Sequence, residues 1–368
     1  PPREGYRDLT MPRILVSDPV AEEGLQLLQQ AGEVDYRPGL SREQLLTLIG
    51  DYDALMVRSQ TQVDAALIEA GTRLKVIGRA GVGVDNIDVE AATRRGIVVV
   101  NSPEGNTIAA AELTFALMLA LARKVPQADR SLRKGEWKRS AFMGTELSRK
   151  TLGIIGIGKI GREVARRAHA FGMQVLAHDP FVPPAHIQQL RAEPVSLDEL
   201  LARSDFITLH VPLTPDTHQM LNRERLLKTR PGVRIINCAR GELIDLEALA
   251  DLIESGHVAG AALDVFPQEP PPVDLRVLHQ PQNVLTPHLG ASTEEAQVKV
   301  AIDVAEQIVA VLRGGVPRSP VNLPPIPTDQ LERIQPYLQL IERMGRLHAQ
   351  LMSAPVERLH VRFAGNWE

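Results

Sequence analysis

The sequence predicts an α/β protein with two doubly wound parallel-sheet domains and the start of a further C-terminal domain. Short β-rich runs alternate with amphipathic helical segments along most of the chain, which is typical of parallel sheets. A proline-rich connector, "VPRSPVNLPPIP", then precedes one more helical segment and one more strand-like run. At 368 residues the chain is also long enough to form two separate hydrophobic cores.

The first α/β unit is expected to begin near residue 11, because residues 1–10 contain no apolar core and resemble a leader or cloning remnant. Strands are predicted by five runs, which read RILVSD, VDYRP, ALMVRS, LKVIGRA and IVVVNSP. Helices are predicted between them by EEGLQLLQQAG, SREQLLTLIG, DAALIEAG and DVEAATRRG. An almost wholly apolar helix follows, NTIAAAELTFALMLALARKV, and its composition predicts burial between domains or in a subunit interface.

A second α/β unit is expected to start at Thr151. Its strands are predicted at 152–156, 174–178, 205–210, 233–237, 259–264 and 283–286. An amphipathic helix is predicted over 294–313. Beyond the connector, TDQLERIQPYLQLIERMGRLHAQLMS predicts a helix and VERLHVRFAG a strand, so the tail is typical of the first part of another domain.

The composition limits the partners that this protein can have. A net charge of -4 and a pI near 6.3 provide no basic surface for nucleic acid or an anionic membrane. The longest apolar stretch, 108–122, is too short to span a bilayer, and the single cysteine fits a reducing cytoplasm. We therefore expect a cytoplasmic protein that binds small molecules or further copies of itself, with no metal site.

A glycine-rich turn, "GIGKIG", follows the first predicted strand of the second unit. Gly156 permits a tight turn, Gly158 lets backbone amides approach a pyrophosphate, and Gly161 allows close packing of helix on strand. Asp179 follows the next strand, where a carboxylate accepts ribose hydroxyls and repels a 2′-phosphate. The pattern thus predicts a Rossmann-like domain that binds NAD rather than NADP, the alternative being a purely structural turn.

Three loops that follow strands of the second unit supply candidate catalytic groups. His288 is the predicted general acid/base, since imidazole is the side chain that changes charge near neutral pH. Glu269 is expected to hydrogen-bond its other nitrogen, and Arg240 to bind a substrate carboxylate. Taken singly, each of these residues has a structural alternative, because a loop arginine is usually solvated and an isolated histidine is more often structural. Cys238 is expected to be a small buried residue rather than a nucleophile.

Six segments resemble the D-isomer-specific 2-hydroxyacid dehydrogenases: GRAGVGVDNID, NSPEGNTIAAAEL, GIIGIGKIG, NCARGELID, ALDVFPQEP and TPHLGAST. Two more, FMGTEL and QPYLQLIERMGRL, narrow the resemblance to members that act on 3-phosphoglycerate. The resemblance implies NAD-dependent oxidation of this substrate to 3-phosphohydroxypyruvate, the first step of serine biosynthesis. Two alternatives are a glyoxylate or hydroxypyruvate reductase with the same catalytic set and an NAD-sensing corepressor-like protein.

The resemblance also implies roles for individual residues and a homodimer or homotetramer. Arg240, Glu269 and His288 fall on the family's catalytic positions. The cofactor positions outside the glycines are Lys159, Ile160, Asp179, Val211, Cys238, Ala239, Asp264, Gly290 and Ala291. The substrate positions are Arg58, Ser59, Arg79, Asn106 and Arg139, the last of which is expected to reach the neighbouring subunit's site.

The family fold implies that the substrate-binding domain is discontinuous, with residues 11–107 and 296–320. The NAD-binding domain, residues 108–295, is inserted into it, with the active site in the cleft between the two. The long apolar helix then becomes a hinge and a dimer interface. Residues 321–368 are expected to form part of an intervening domain, and feedback by serine is not expected.

Overall fold

The computed structural model describes residues 11–323 and, after them, the helical residues 336, 337, 340, 341, 343–345, 347, 348, 350 and 351. The predicted leader and the predicted last strand therefore lie outside the described residues. The chain divides into two compact units. The first unit contains the chain up to Pro103 and again from Val300 onward. The second unit is Glu104–Lys299.

The first unit contains a five-stranded parallel sheet with the order β2-β1-β3-β4-β5. Its strands are β1 Arg13–Val16, β2 Glu33–Tyr36, β3 Ala54–Val57, β4 Val76–Arg79 and β5 Val98–Asn101. Its connecting helices are α1 Glu22–Gln29, α2 Arg42–Leu48, α3 Ala65–Ala70 and α4 Val89–Arg94, with a 3-10 turn at Ile49–Asp51. Helices on both faces bury the apolar residues of the central strands, which explains their continuous apolar runs.

A buried carboxylate fastens the amino ends of three neighbouring strands of this sheet. Asp53, only 4% exposed, accepts hydrogen bonds from the Arg13 N–H at 3.0 Å and the Arg73 guanidinium at 3.0 Å. The Lys75 ammonium lies 3.2 Å from its other oxygen. Burial raises the pKa of Asp53, but the Arg13 N–H and Lys75 outweigh that effect, so its pKa lies below the usual value.

Replacing Asp53 by asparagine is expected to lower the free energy of unfolding by about 1–3 kcal/mol at pH 7, because two cations lose their buried partner. Since the folded-state pKa is lowered, this stabilisation is complete above about pH 4 and is lost as the pH falls through the folded pKa. Urea unfolding of both proteins at several pH values measures the difference. The exposed Asp51, 3.7 Å from Arg13, provides the control, and Asp51→Asn should cost less than about 0.5 kcal/mol. An equal loss in both variants would contradict the role of Asp53.

The second unit contains a seven-stranded parallel sheet with the order β12-β11-β10-β9-β6-β7-β8. Its strands are β6 Thr151–Ile155, β7 Gln174–His178, β8 Glu193–Pro194, β9 Phe206–Leu209, β10 Val233–Asn237, β11 Val258–Leu263 and β12 Val284–Leu285. Its helices are α5 Thr107–Arg123, α6 Val125–Arg133, α7 Lys159–Ala170, α8 Pro184–Gln189, α9 Leu197–Arg203, α10 Arg223–Leu227, α11 Leu246–Glu254 and α12 Arg276–His279. The strand order reverses between β6 and β9 in this sheet, and between β1 and β3 in the first sheet. The predicted doubly wound class is therefore confirmed for both sheets.

Helix α5 packs largely inside the second unit, whereas its composition predicted burial between domains or in a subunit interface. Phe115, Met118 and Leu121 belong to a core that also includes Ile154 of β6 and Ile236 of β10. The apolar face is thus covered inside the second unit, while a role as hinge or subunit interface stays a prediction. Within the described part of the chain, no helix is long and apolar enough to cross a membrane.

The last long helix, α13 Glu294–Leu312, carries the chain back into the first unit. Val304 and Ile308 are fully buried in a core that includes Ile14 and Val16 of β1. Gln307 on the same helix donates to the Asn101 carbonyl at 2.9 Å at the end of β5. Residues distant in the chain therefore complete one face of the first sheet.

Candidate active site

The glycine-rich turn joins β6, the strand beside the reversal of the second sheet, to α7. Gly156 has a φ of 91°, in the left-handed region, and a Cβ there would lie 2.7 Å from Val211 Cγ1. A Cβ on Gly161 would lie 2.1 Å from the Gly156 carbonyl oxygen, so the helix rests directly on the turn. Gly158 precedes α7, and apart from its two neighbours in the chain no heavy atom of the described residues lies within 4 Å of its Cβ position.

The start of α7 suits a bound pyrophosphate. Within the described chain, no side chain caps this helix, and its first turn carries no acidic residue. Its first amides therefore have no side-chain cap among the described residues, and its dipole favours an anion at this end. Together with the three glycines, this arrangement fits the phosphates of a dinucleotide.

Asp179 follows β7 and lies against the same turn. Its carboxylate accepts hydrogen bonds from the Ile157 N–H and the Phe181 N–H, both at 2.9 Å. These bonds use only part of its acceptor capacity, so it can still accept from ribose hydroxyls. The neighbouring Phe181 is 92% exposed and was not singled out in the sequence, because a single aromatic in a loop has no pattern.

Two predicted cofactor residues begin α7. Lys159 is its first residue, and its ammonium lies 2.8 Å from the Glu104 carboxylate. Ile160 is partly buried and packs against the core that contains α5. Lys159 therefore presents a charge near the helix start, while Ile160 anchors the helix.

The three predicted catalytic residues follow the neighbouring strands β10, β11 and β12, whose carboxyl ends lie at one edge of the sheet. His288 Nδ1 donates a hydrogen bond of 2.6 Å to Glu269 Oε2. About 45% of the histidine side chain is exposed, so its ring is open to a ligand. Burial raises the pKa of Glu269, but the bonds from His288 and the Phe266 N–H outweigh it and leave that pKa below its usual value.

A fully buried carboxylate holds the loop that carries His288. Asp264 accepts hydrogen bonds from Thr286 Oγ1 at 2.6 Å, the Leu289 N–H at 2.7 Å and the Gly290 N–H at 2.9 Å. Its carbonyl accepts from the His288 N–H at 2.8 Å. Burial raises the pKa of Asp264, and these hydrogen bonds oppose part of that shift.

This support explains how His288 keeps an unusual backbone conformation. Its φ is 56°, in the left-handed region that residues with a Cβ rarely adopt. Such a conformation costs about 1–3 kcal/mol and persists where surrounding contacts impose it, often at functional sites. Thr286, which donates to Asp264, was not singled out in the sequence because its contact depends on a strand elsewhere in the chain.

Arg240 lies in a loop that packs directly on the loop of Glu269. The Asn237 side chain donates to the Arg240 carbonyl at 2.8 Å, and Arg240 Nη1 donates to the Ala239 carbonyl at 2.7 Å. A Cβ on Gly241 would lie only 2.0 Å from the Phe266 carbonyl carbon. The positive charge of Arg240 also contributes to the lowered pKa of Glu269.

Two other titratable groups beside these loops remain uncharged near neutral pH. Burial raises the pKa of the Cys238 thiol to about 12, and the neighbouring Asp264 adds to the shift. Burial lowers the pKa of His210, at the end of β9, to about 3, and its Nε2 lies 3.0 Å from Thr208 Oγ1. Neither group therefore competes with His288 as the acid/base candidate.

The Cys238 thiol is expected to react slowly with iodoacetamide at pH 8. A pKa of about 12 leaves roughly a thousandfold less thiolate than in an ordinary cysteine, and only the thiolate reacts. Because the chain has a single cysteine, mass spectrometry follows this one site, with the urea-unfolded protein as the control. Cys238 is partly buried, where the sequence predicted a buried residue. Equal rates in the folded and unfolded proteins would contradict the raised pKa of its thiol.

The predicted substrate residues divide between the two units. In the first unit, Arg58 and Ser59 follow β3 and Arg79 ends the neighbouring β4, so the three lie at one edge of the sheet. The Arg58 N–H donates to Asp18 at 2.6 Å. In the second unit, Asn106 precedes α5, and Arg139 begins a 3-10 turn, Arg139–Phe142.

Comparisons with known proteins agree with this architecture. A family model, D-isomer specific 2-hydroxyacid dehydrogenase, NAD binding domain, matches residues 115–290. The chain is 52% identical to D-3-phosphoglycerate dehydrogenase of Synechocystis sp. over 98% of its own length and 65% of the relative's. It is 49% identical to the enzyme of the same name from Methanocaldococcus jannaschii, over 96% of its own length and 68% of the relative's.

A solved structure covers both units. The TT0316 protein of Thermus thermophilus aligns with a TM-score of 0.79 and 39% identity, over 84% of this chain and 99% of that one. The chain therefore belongs to the D-isomer-specific 2-hydroxyacid dehydrogenase family, and its second unit contains the NAD-binding domain of that family. It spans 65% of the length of the Synechocystis relative.

Proposed function

We propose that this chain contains the catalytic core of a D-3-phosphoglycerate dehydrogenase, which oxidises 3-phosphoglycerate to 3-phosphohydroxypyruvate with NAD. The observation that carries the proposal is the 2.6 Å hydrogen bond between His288 and Glu269, in a loop cluster that also contains Arg240. All three follow strands of the sheet that bears the glycine-rich turn. The names of the relatives support the choice of substrate.

The chemistry follows from the hydrogen bonding of His288. Bound NAD supplies the acceptor for the hydride that leaves the substrate carbon. With Nδ1–H donated to Glu269, the neutral ring keeps Nε2 as an acceptor, and this atom takes the proton of the substrate hydroxyl. The Glu269 carboxylate then stabilises the imidazolium that forms. Arg240 binds the substrate carboxylate with its guanidinium.

The cofactor contacts are proposed on the geometry of the turn and the strand ends. The turn Gly156–Gly161 would receive the pyrophosphate at Gly158 and at the first amides of α7, since the Gly156 N–H already donates to the His178 carbonyl at 2.9 Å. Asp179 would accept the ribose hydroxyls, which favours NAD over NADP. The remaining lining residues are Lys159, Ile160, Val211, Cys238, Ala239, Asp264, Gly290 and Ala291. Of these, Gly290 lies in the loop that carries His288, and its N–H donates to Asp264, which follows β11.

Further roles complete the proposal. Arg58, Ser59, Arg79 and Asn106 are proposed to bind the substrate, and Arg139 is proposed to act in the site of a neighbouring subunit. A homodimer or homotetramer in the cytoplasm fits the family. The first unit is proposed as the substrate-binding domain, which rests on its two cationic side chains, Arg58 and Arg79, at one sheet edge.

Steady-state assays with phosphorylated and unphosphorylated 2-hydroxy acids test the substrate. We expect NAD reduction with 3-phosphoglycerate and a faster reverse reaction with 3-phosphohydroxypyruvate. A higher kcat/KM with glyoxylate or hydroxypyruvate would support the reductase alternative instead. NAD binding without turnover of any of these acids would support a binding protein and overturn the enzymatic proposal.

A further inference from the structure

Glu104 forms an ion pair with the lysine that begins the dinucleotide-binding helix. The residue lies between β5 and α5, and its Oε1 is 2.8 Å from Lys159 Nζ. The Lys299 ammonium donates to the Glu104 carbonyl at 3.3 Å and so ties down the loop. The hydrogen bond from Lys159 is the main reason that the pKa of Glu104 is lowered, so this carboxylate is charged near neutral pH.

The position of this pair conflicts with tight binding of an anion at the same helix start. The amides and the dipole of α7 favour a pyrophosphate, and a lysine at the first helical position adds a mobile positive charge. Glu104 neutralises that charge from another element of the chain. Because both side chains are more than half exposed, the lysine stem is free to turn from the carboxylate to a phosphate.

We propose that Glu104 sets the affinity of the site for dinucleotides, because it competes with the pyrophosphate for the Lys159 ammonium. NAD and NADH then bind more weakly and dissociate faster than they would from the same glycine-rich turn and Lys159 without Glu104. This rests on the proposed function only in placing the NAD pyrophosphate at the start of α7. Faster release matters because product release limits the turnover of many enzymes.

The test is direct binding of NADH, followed by its fluorescence at low salt without substrate. Glu104→Gln should lower the Kd of NADH about two- to fivefold, as expected for release of a cation from an exposed ion pair. Lys159→Met should raise the Kd, and in this background Glu104→Gln should lower it less than in the unmodified protein, because only the direct repulsion between the carboxylate and the phosphates is then removed. Adenosine, which has no phosphates, should bind both single variants and the unmodified protein equally.

The matched control is Glu112→Gln, an exposed glutamate in α5 that pairs with Arg167 at 3.4 Å and not with Lys159. Its Kd for NADH should be unchanged. If the unmodified protein bound NADH and Glu104→Gln bound it no tighter, this inference would fail while the proposed function would stand. An equal gain in the Lys159→Met background would also overturn the competition. If the unmodified protein did not bind NADH, both proposals would fail.

Discussion

Replacing His288 by alanine is expected to lower kcat by about 10²–10⁴-fold while the Kd of NADH changes by less than about twofold. The imidazole is the proposed proton acceptor, and loss of a general acid/base costs about this much. Its side chain is about half exposed and bonds to Glu269, so its removal leaves no buried cavity. Single-turnover kinetics and NADH fluorescence separate the two quantities.

The control for this substitution is His186→Ala, which removes an exposed histidine from α8 and should leave kcat unchanged. Glu269→Gln offers a second comparison, because an amide can still contact Nδ1 but cannot stabilise an imidazolium. Its kcat should lie between those of the unmodified protein and His288→Ala. Loss of NADH binding or of folding in His288→Ala would instead show that the histidine is structural.

Replacing Gly241 by alanine is expected to lower kcat/KM more than about 10²-fold. The added Cβ would lie 2.0 Å from the Phe266 carbonyl carbon and 2.3 Å from the Pro267 nitrogen, which are backbone atoms that cannot rotate away. The Arg240 and Glu269 loops must then separate, and a displacement of about 1 Å costs activity on this scale. The crowding should also lower the free energy of unfolding by about 1–3 kcal/mol.

Gly256→Ala is the matched control, because this glycine has open space around its Cβ position but a φ of 79°. It should cost about 1 kcal/mol of stability through backbone strain and leave kcat/KM unchanged. Thermal unfolding and steady-state assays of both variants measure these effects. Unchanged kcat/KM in Gly241→Ala would show that the spacing of the two loops does not control activity.

Most strands of both sheets could be predicted because they are short apolar runs that are largely buried, although the edge strand β2 contains two acidic residues and is partly exposed. In β3, all four residues are buried, and its sequence contains no polar position. The exception is β8 Glu193–Pro194, a two-residue edge strand with a charged residue and a proline. Nothing in its local sequence marks it, since it exists through pairing with Leu176 and Ala177 of β7.

The candidate catalytic residues could be selected because parallel strands bring their carboxyl ends to one edge. That rule groups Arg240, Glu269 and His288 without specifying any distance. The structure adds the hydrogen bond from His288 to Glu269 and the contact of Gly241 with Phe266.

The sequence by itself determined the doubly wound class, the glycine-rich turn and the family, because each depends on neighbours within about thirty residues. The tertiary structure alone decided how Asp264 holds the His288 loop and how Glu104 pairs with Lys159. Those contacts join segments that are remote in the chain. Their geometry depends on how strands stack and loops approach, and no local pattern of residues encodes it.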